Sequence, residues 1–286
     1  MKLFLRYFFL ILLNISFSNL NAQDSAADSL ISNLNDTSTA AGTPTITATA
    51  DSLFTREYDK FNKHFIIGGW QDLKYTVSRP AHWQQKDWLK FSAIMGSVGT
   101  LMIFDKKIKS IALHNQNHFT NSVATTVEPM GNFYGMYLFP AIYATGLITQ
   151  NDKIQDFGLN GGKALVISTV IYTVSKKFIR RRRPDATETQ FDYALPFSKR
   201  KYTSSPSGHT NTIFTVATAF AEQFHDKKWV APVAYSIASL TAISRIYHNR
   251  HWSSDVLLGA ALGHFATKAV YRSAYQRKNR VLPTFQ

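Results

Sequence analysis

Six stretches of helical character between Trp88 and Tyr275 constrain this chain more than any other feature. They run over about 88–104, 132–149, 161–183, 209–224, 229–247 and 254–275, with apolar side chains on most faces. No run alternates apolar and polar residues with period two for long enough to demand a strand. Gly and Ala recur where helices would need to approach closely. The expected fold is therefore all-α: a six-helix core bundle, preceded at 53–87 by an irregular aromatic arm.

That arm carries Phe54, Tyr58, Phe61, Phe65, Trp70, Tyr75 and Trp83. Its Gly68-Gly69 pair and Arg79-Pro80 are read as breaking any long helix, which makes it a packing arm or a membrane-surface segment. Upstream, residues 23–52 are mainly Ser, Thr, Ala and Asp, and bury too little surface to offset ordering entropy, so a disordered linker is expected. Lys2 and Arg6 flank or interrupt a short, intensely apolar run, followed by polar residues and by Leu20-Asn21-Ala22. This pattern reads as a secretory signal over 1–22, with an uncleaved anchor as the other reading. The first 52 residues hold two basic and four acidic side chains, so a chain of net charge +14 leaves +16 on residues 53–286. The folded part should attract anions. With no cysteine, disulfides and thiolate metal sites are excluded.

A membrane span needs about 20 apolar residues. The fourth stretch is shorter and contains Glu222 and Gln223; the sixth carries His264 and Lys268 in its middle. Parity also counts against spanning, because three crossings from an exported N-terminus would return the end of the third helix to the cytoplasm. A soluble or membrane-surface bundle is expected, with the second and third stretches apolar enough to keep a spanning arrangement open.

Three short motifs lie at the ends of these stretches. In the first, Lys176 and Arg183 are seven residues apart, two helical turns, so they share a face until Pro184 ends the element. The neighbouring Lys177, Arg180, Arg181 and Arg182 are read as a solvated basic face or a contact with acidic lipid. In the second, Pro206, Ser207, Gly208 and His209 stand before an apolar helix, where unspent backbone amides accept an anion. In the third, Ser244-Arg245 precedes His251 and Asp255, which are i and i+4 neighbours if a helix begins there. A carboxylate on one ring nitrogen fixes the imidazole's tautomer, although a helix-capping His–Asp pair has the same spacing. Between His209 and Arg245 an αα-hairpin with arms of similar length brings both ends together. Three cations, amides, two imidazoles and a carboxylate suit a phosphate held without metal, since a divalent cation among Lys176, Arg183 and Arg245 would be repelled. The other histidines (64, 82, 114, 118, 225, 248 and 264) show no convergent partners.

With these motifs, K-x6-R-P, P-S-G-H and S-R-x5-H-x3-D, the chain resembles the type-2 phosphatidic acid phosphatase superfamily. That group includes bacterial acid phosphatases, lipid phosphate phosphatases and vanadium haloperoxidases. The resemblance implies a catalytic domain over 88–286, with no cofactor or metal. It makes His251 the nucleophile, oriented by Asp255, with His209 as acid and then base. Lys176, Arg183, Arg245, Ser207 and Gly208 would hold the phosphoryl oxygens. It also implies an exported, periplasmic or membrane-associated phosphatase acting on phosphomonoesters through a phosphohistidine. Lipid phosphates or isoprenyl diphosphates are the substrates in view, with soluble esters as the alternative. Vanadate is expected to inhibit, or to serve as cofactor under the alternative haloperoxidase reading. Nucleic-acid binding by the clusters 180–183 and 199–201 is the third reading, and export and the intact motif set count against it.

Overall fold

The computed structural model describes residues 60–198 and 202–281. The signal at 1–22, the linker at 23–52, the start of the arm and the basic cluster 199–201 fall outside these residues. Eight α-helices are present among them: α1 (Lys63–Ser78), α2 (Gln85–His114), α3 (His118–Val127), α4 (Phe133–Ile148), α5 (Asp152–Ile179), α6 (Gly208–Gln223), α7 (Val230–Tyr247) and α8 (Ser253–Val281). Short 3-10 turns cover Arg79–His82 and Glu128–Gly131. No strand occurs among the described residues; the only β-type pairing there is the isolated bridge between Arg181 and Tyr193. The all-α class holds.

Helix α6 is the centre of the bundle, packed by α5, α7 and α8. Ile213, Phe214, Val216, Ala217 and Ala219 on it are buried. Phe157 of α5 stacks edge-on against Phe139 of α4 and against Phe220 and Phe224 at the end of α6. Ala164, Ile167 and Val270 close the α5–α8 contact. Several polar groups inside are paired: the Ser168 and Thr215 hydroxyls lie 2.9 Å apart, and Asn211 Nδ2 donates to Ser168 Oγ at 3.2 Å. Pairing of this kind removes the cost of burying them.

Three expectations change. The arm is not irregular, because Gly68 and Gly69 sit inside α1, which Asn62 caps by accepting the Phe65 N–H at 3.0 Å. Two glycines weaken helix propensity by roughly 1 kcal/mol each, and tertiary contacts override that. Asp72 of α1, fully buried, pairs with Lys163 of α5 at 2.9 Å and with Arg277 of α8 at 2.6 Å. Second, α2 begins at Gln85 and runs to His114, so a boundary between 87 and 88 cuts through it. Third, α3 appears where no helix was expected; the Asn117 and Thr120 side chains each accept the other's backbone N–H.

Only α5 is long and apolar enough to cross a membrane by length and composition among the described residues, and 56% of its apolar window is buried inside the protein. The outer surface is nevertheless rich in large apolar side chains, including Leu89, Ile103, Phe133, Ile148, Val166 and Phe178.

The α1 clamp yields a stability prediction. Burial alone would raise the Asp72 carboxyl's pKa, but Arg277, Lys163 and Ser273 together outweigh it and hold it below the ordinary value. Its contribution is therefore complete at neutral pH and is lost as pH falls through that depressed value. Asp72→Ala removes the carboxylate that Lys163 and Arg277 share, and should cost about 3–5 kcal/mol in denaturant unfolding at neutral pH. The difference between variant and wild type should shrink in acid.

Candidate active site

The site lies at one end of the bundle, where α5 and α7 end and α6 and α8 begin. Helix α5 stops at Ile179 because Arg180 adopts the left-handed conformation (φ 47°, ψ 55°), its N–H returning to Lys176 O at 3.3 Å. The helix therefore does not reach 183. Lys176 sits in its last turn and Arg183 lies beyond it, in a strap that folds back on itself. There, Arg182 N–H donates to Asp192 O and Ser204 N–H to Arg181 O, both at 2.9 Å.

The consecutive arginines divide sharply. Arg181 is not part of a solvated face: it is 2% exposed. Its guanidinium donates to Asp255 Oδ1 and Asp105 Oδ2, each at 2.8 Å, and to Ser254 Oγ at 2.7 Å. Burial opposes its charge, but Asp255 and Asp105 outweigh that and raise its pKa further. Arg180 donates to Ser198 O at 2.6 Å and Arg182 pairs with Asp192 at 3.3 Å. Arg183 has no carboxylate partner among the described residues, and the buried Nε atoms of Arg183 and Arg245 make no hydrogen bond. Lys176 likewise has no carboxylate in direct contact among the described residues, and its ammonium lies 5.5 Å from the centre of the Tyr172 ring. Burial, then repulsion from Arg183, lowers its pKa to about 8, with Asp255 opposing. Half-buried cations without counter-charge form a site that an anion would relieve.

Ser207 caps α6 and is fully buried. Its N–H donates to Asp255 O at 3.0 Å, and its oxygen accepts the Thr210 hydroxyl at 2.9 Å, leaving its own proton available. The first bond of α6 runs from Asn211 N–H to Ser207 O, so the amides of Gly208, His209 and Thr210 precede it and are unspent. Helix α8 crosses this loop closely at Gly259, where a Cβ would stand 2.5 Å from Ser207 O.

His251 and Asp255 do not bond each other. Helix α8 starts at Ser253, so His251 precedes it and helical i, i+4 geometry does not apply. His251 Nδ1 instead lies 2.7 Å from Ser204 O. A carbonyl only accepts, so Nδ1 carries the proton and Nε2 keeps its lone pair. Asp255 acts one step removed: it accepts the Ser204 hydroxyl at 2.5 Å and the Trp252 N–H at 3.1 Å, fixing the peptide that holds the imidazole. Burial, followed by Lys176, Arg183 and Arg245, holds His251 well below the ordinary histidine value. His209, at the start of α6, is lowered to about 4 by burial and then Arg245, with Lys176 and Arg183 adding and Glu128 opposing. All three cations thus act on both imidazoles.

Two residues had no motif to announce them. Asp105 of α2 is 1% exposed and accepts from the Ser253 hydroxyl at 2.5 Å and the Ser254 N–H at 3.0 Å, beside its bond to Arg181. Glu128 pairs with Arg245 and stands 2.9 Å from His248 Nδ1, so His248 has a partner after all. His264 has partners too, Tyr235 Oη at 2.8 Å and Thr218 Oγ1 at 3.1 Å, but belongs to the core.

Residues 159–279 match the PAP2 superfamily, and the chain carries a PAP2 superfamily domain there. That span includes all eight candidate site residues and excludes Asp105 and Glu128. Over 124 residues the chain is 44% identical to a Lipid A 1-phosphatase of Porphyromonas gingivalis, covering 39% of this chain and 25% of that protein. The chain thus spans about a quarter of that relative's length. Its fold is similar to the crystal structure of the first transmembrane PAP2-type phosphatidylglycerolphosphate phosphatase from Bacillus subtilis. There the TM-score is 0.51 at 23% identity, covering 68% of this chain and 98% of that one. The structure of Aquifex aeolicus LpxE aligns with TM-score 0.47 at 23% identity, over 59% and 95% of the two chains.

Removing the Arg181 fork should show its role. Arg181→Met leaves two buried carboxylates facing each other and is expected to cost about 3–5 kcal/mol in denaturant unfolding. Arg181→Lys keeps one charge but cannot reach both carboxylates. It should fold with a partial loss of stability, which a melt would register between wild type and the Met variant.

Proposed function

We propose that this chain, with its PAP2 superfamily domain, is a metal-independent phosphatase that hydrolyses phosphomonoesters through a phosphohistidine at His251. One observation supports this above the others: Lys176, Arg183 and Arg245 act together on two imidazoles, and the first two have no carboxylate of their own among the described residues. Phosphoryl transfer chiefly requires positioning and neutralisation of the equatorial oxygens, which fixed cations and amides supply. In this reading the three cations, the Ser207 hydroxyl and the amides from Gly208 onward hold those oxygens.

His251 Nε2 attacks phosphorus while the bond from phosphorus to the ester oxygen breaks, and His209 gives its proton to the departing alkoxide. Neutral His209 then takes a proton from water. The resulting hydroxide attacks phosphorus, the P–N bond breaks, and inorganic phosphate leaves with His251 restored. Splitting the displacement in two lowers each barrier.

The substrate we favour is a lipid phosphate. Large apolar side chains on the outer surface suit a protein working at a membrane, and the matched relative in Porphyromonas gingivalis is a Lipid A 1-phosphatase. Residues 1–22 would direct export, 23–52 would tether, and the catalytic domain would act outside the cytoplasm, at or in the membrane.

His251→Ala should abolish turnover, and rapid acid-free quench of wild type with labelled substrate should leave acid-labile phosphate on His251. Label on Ser207 would overturn the assignment. A second prediction concerns pH. The acid must be protonated and the nucleophile neutral, so rate falls on both sides. Burial and the three cations bring the His209 pKa down to about 4. A bound phosphoryl group offsets the cations that depress it, so its pKa rises on binding. The alkaline limb of kcat should therefore lie at higher pH than the His209-dependent limb of kcat/KM. Coincident limbs, after correction for substrate ionisation, would remove His209 as the acid.

A further inference from the structure

A carboxylate stands beside this site that the chemistry above leaves unused. Glu128 opens the 3-10 turn between α3 and α4, and its side chain is 35% exposed. One carboxylate oxygen takes the Arg245 guanidinium, and the other lies 2.9 Å from His248 Nδ1. The turn is anchored. Thr241 Oγ1 donates to Val127 O at 3.2 Å, and a Cβ on Gly131 would stand 2.9 Å from His209 O and 3.0 Å from Thr241 Cγ2. The turn that Glu128 opens is therefore held against the first turn of α6, at the backbone of His209.

Its side of the site follows from what its turn packs against. Gly131, at the end of that turn, closes onto the His209 carbonyl, whereas the His251 ring is held by the Ser204 carbonyl. In-line transfer places the attacking nitrogen and the departing oxygen at opposite apices. Glu128 accordingly belongs with His209, on the leaving-group side. Arg245 partly neutralises it; a phosphoryl group that engages Arg245 draws that counter-charge away and leaves the carboxylate facing the departing group.

We propose that Glu128 determines specificity, admitting phosphomonoesters whose leaving group is uncharged or bears hydroxyl or amine groups, and disfavouring diphosphates. The second phosphoryl group of a diphosphate would lie beside the carboxylate, where like charges in a partly desolvated site repel. The inference rests on the phosphatase reading and deepens it, assigning to one residue the preference for monophosphates over the isoprenyl diphosphates that the motifs left open.

The test uses the full chain in detergent, as wild type, Glu128→Gln and Glu128→Asp, with phosphatidate and a prenyl diphosphate as substrates. Wild type is expected to favour the monoester in kcat/KM by about tenfold or more, the scale of one like-charge contact. Glu128→Gln should cut that ratio by about fivefold or more, chiefly by raising diphosphate turnover, and Glu128→Asp, which keeps the charge, should retain most of it. A ratio unchanged within about twofold, or equal losses on both substrates, would overturn the proposal, since both point to a role confined to holding Arg245. Calorimetric titration with inorganic phosphate and with pyrophosphate reads the same preference without turnover. Wild type that cleaves neither substrate would defeat the phosphatase reading. The titration would still decide the carboxylate's role: a Gln variant that strengthens pyrophosphate binding over phosphate supports it, and parallel changes refute it.

Discussion

Two carboxylates from distant parts of the chain, Asp105 and Asp255, are each 1% exposed, and the Arg181 fork lying between them supplies the positive charge that both share. An isolated buried carboxylate is costly, and two near each other more so. One planar guanidinium answers both with charge-assisted bonds. Because Asp105 belongs to α2, Arg181 to the strap and Asp255 to α8, satisfying this charge balance fixes three segments at once. Lys109 of α2 adds a bond to Pro184 O at 2.5 Å, and Trp252, 1% exposed, donates its indole N–H to Arg182 O at 3.0 Å. The peptide that orients His251 is held inside this frame.

The frame also explains why neighbouring arginines differ. Arg180, Arg181 and Arg182 are engaged by the strap or by carboxylates, so their charge is absorbed by the fold. Arg183, with Lys176, is left without a direct carboxylate partner among the described residues and lowers the proton affinity of both imidazoles. Clustered positive charge thus does two jobs: one member stabilises the buried centre, and another stays open toward an anion.

Helix identity was largely legible because apolar faces follow the helical period, and all six expected stretches are helical. Helix ends were not. Arg180 leaves the helix through a left-handed conformation that is rarely expected of arginine, so the two-turn spacing of Lys176 and Arg183 carried no geometric meaning. The His251–Asp255 spacing failed for the same kind of reason, since α8 begins two residues after His251. Glycines disguised α1, whose stability comes from the buried Asp72 pairs rather than from propensity. Asp105 and Glu128 were invisible for a different reason. Each is a lone acidic residue far along the chain from its partners, and only the tertiary fold joins them.

Helix α2 lies wholly outside residues 159–279, yet its Asp105 completes the ionic centre on which Asp255 relies. The recognisable domain is therefore not a transplantable module. Spliced into another protein without α2, it would bring Arg181 and Asp255 but leave one arm of the guanidinium and the Ser254 amide of α8 exposed to whatever replaced it. The acidic group on α2 thus belongs to the same ionic unit as the strap and the start of α8, although it lies in a different stretch of the sequence.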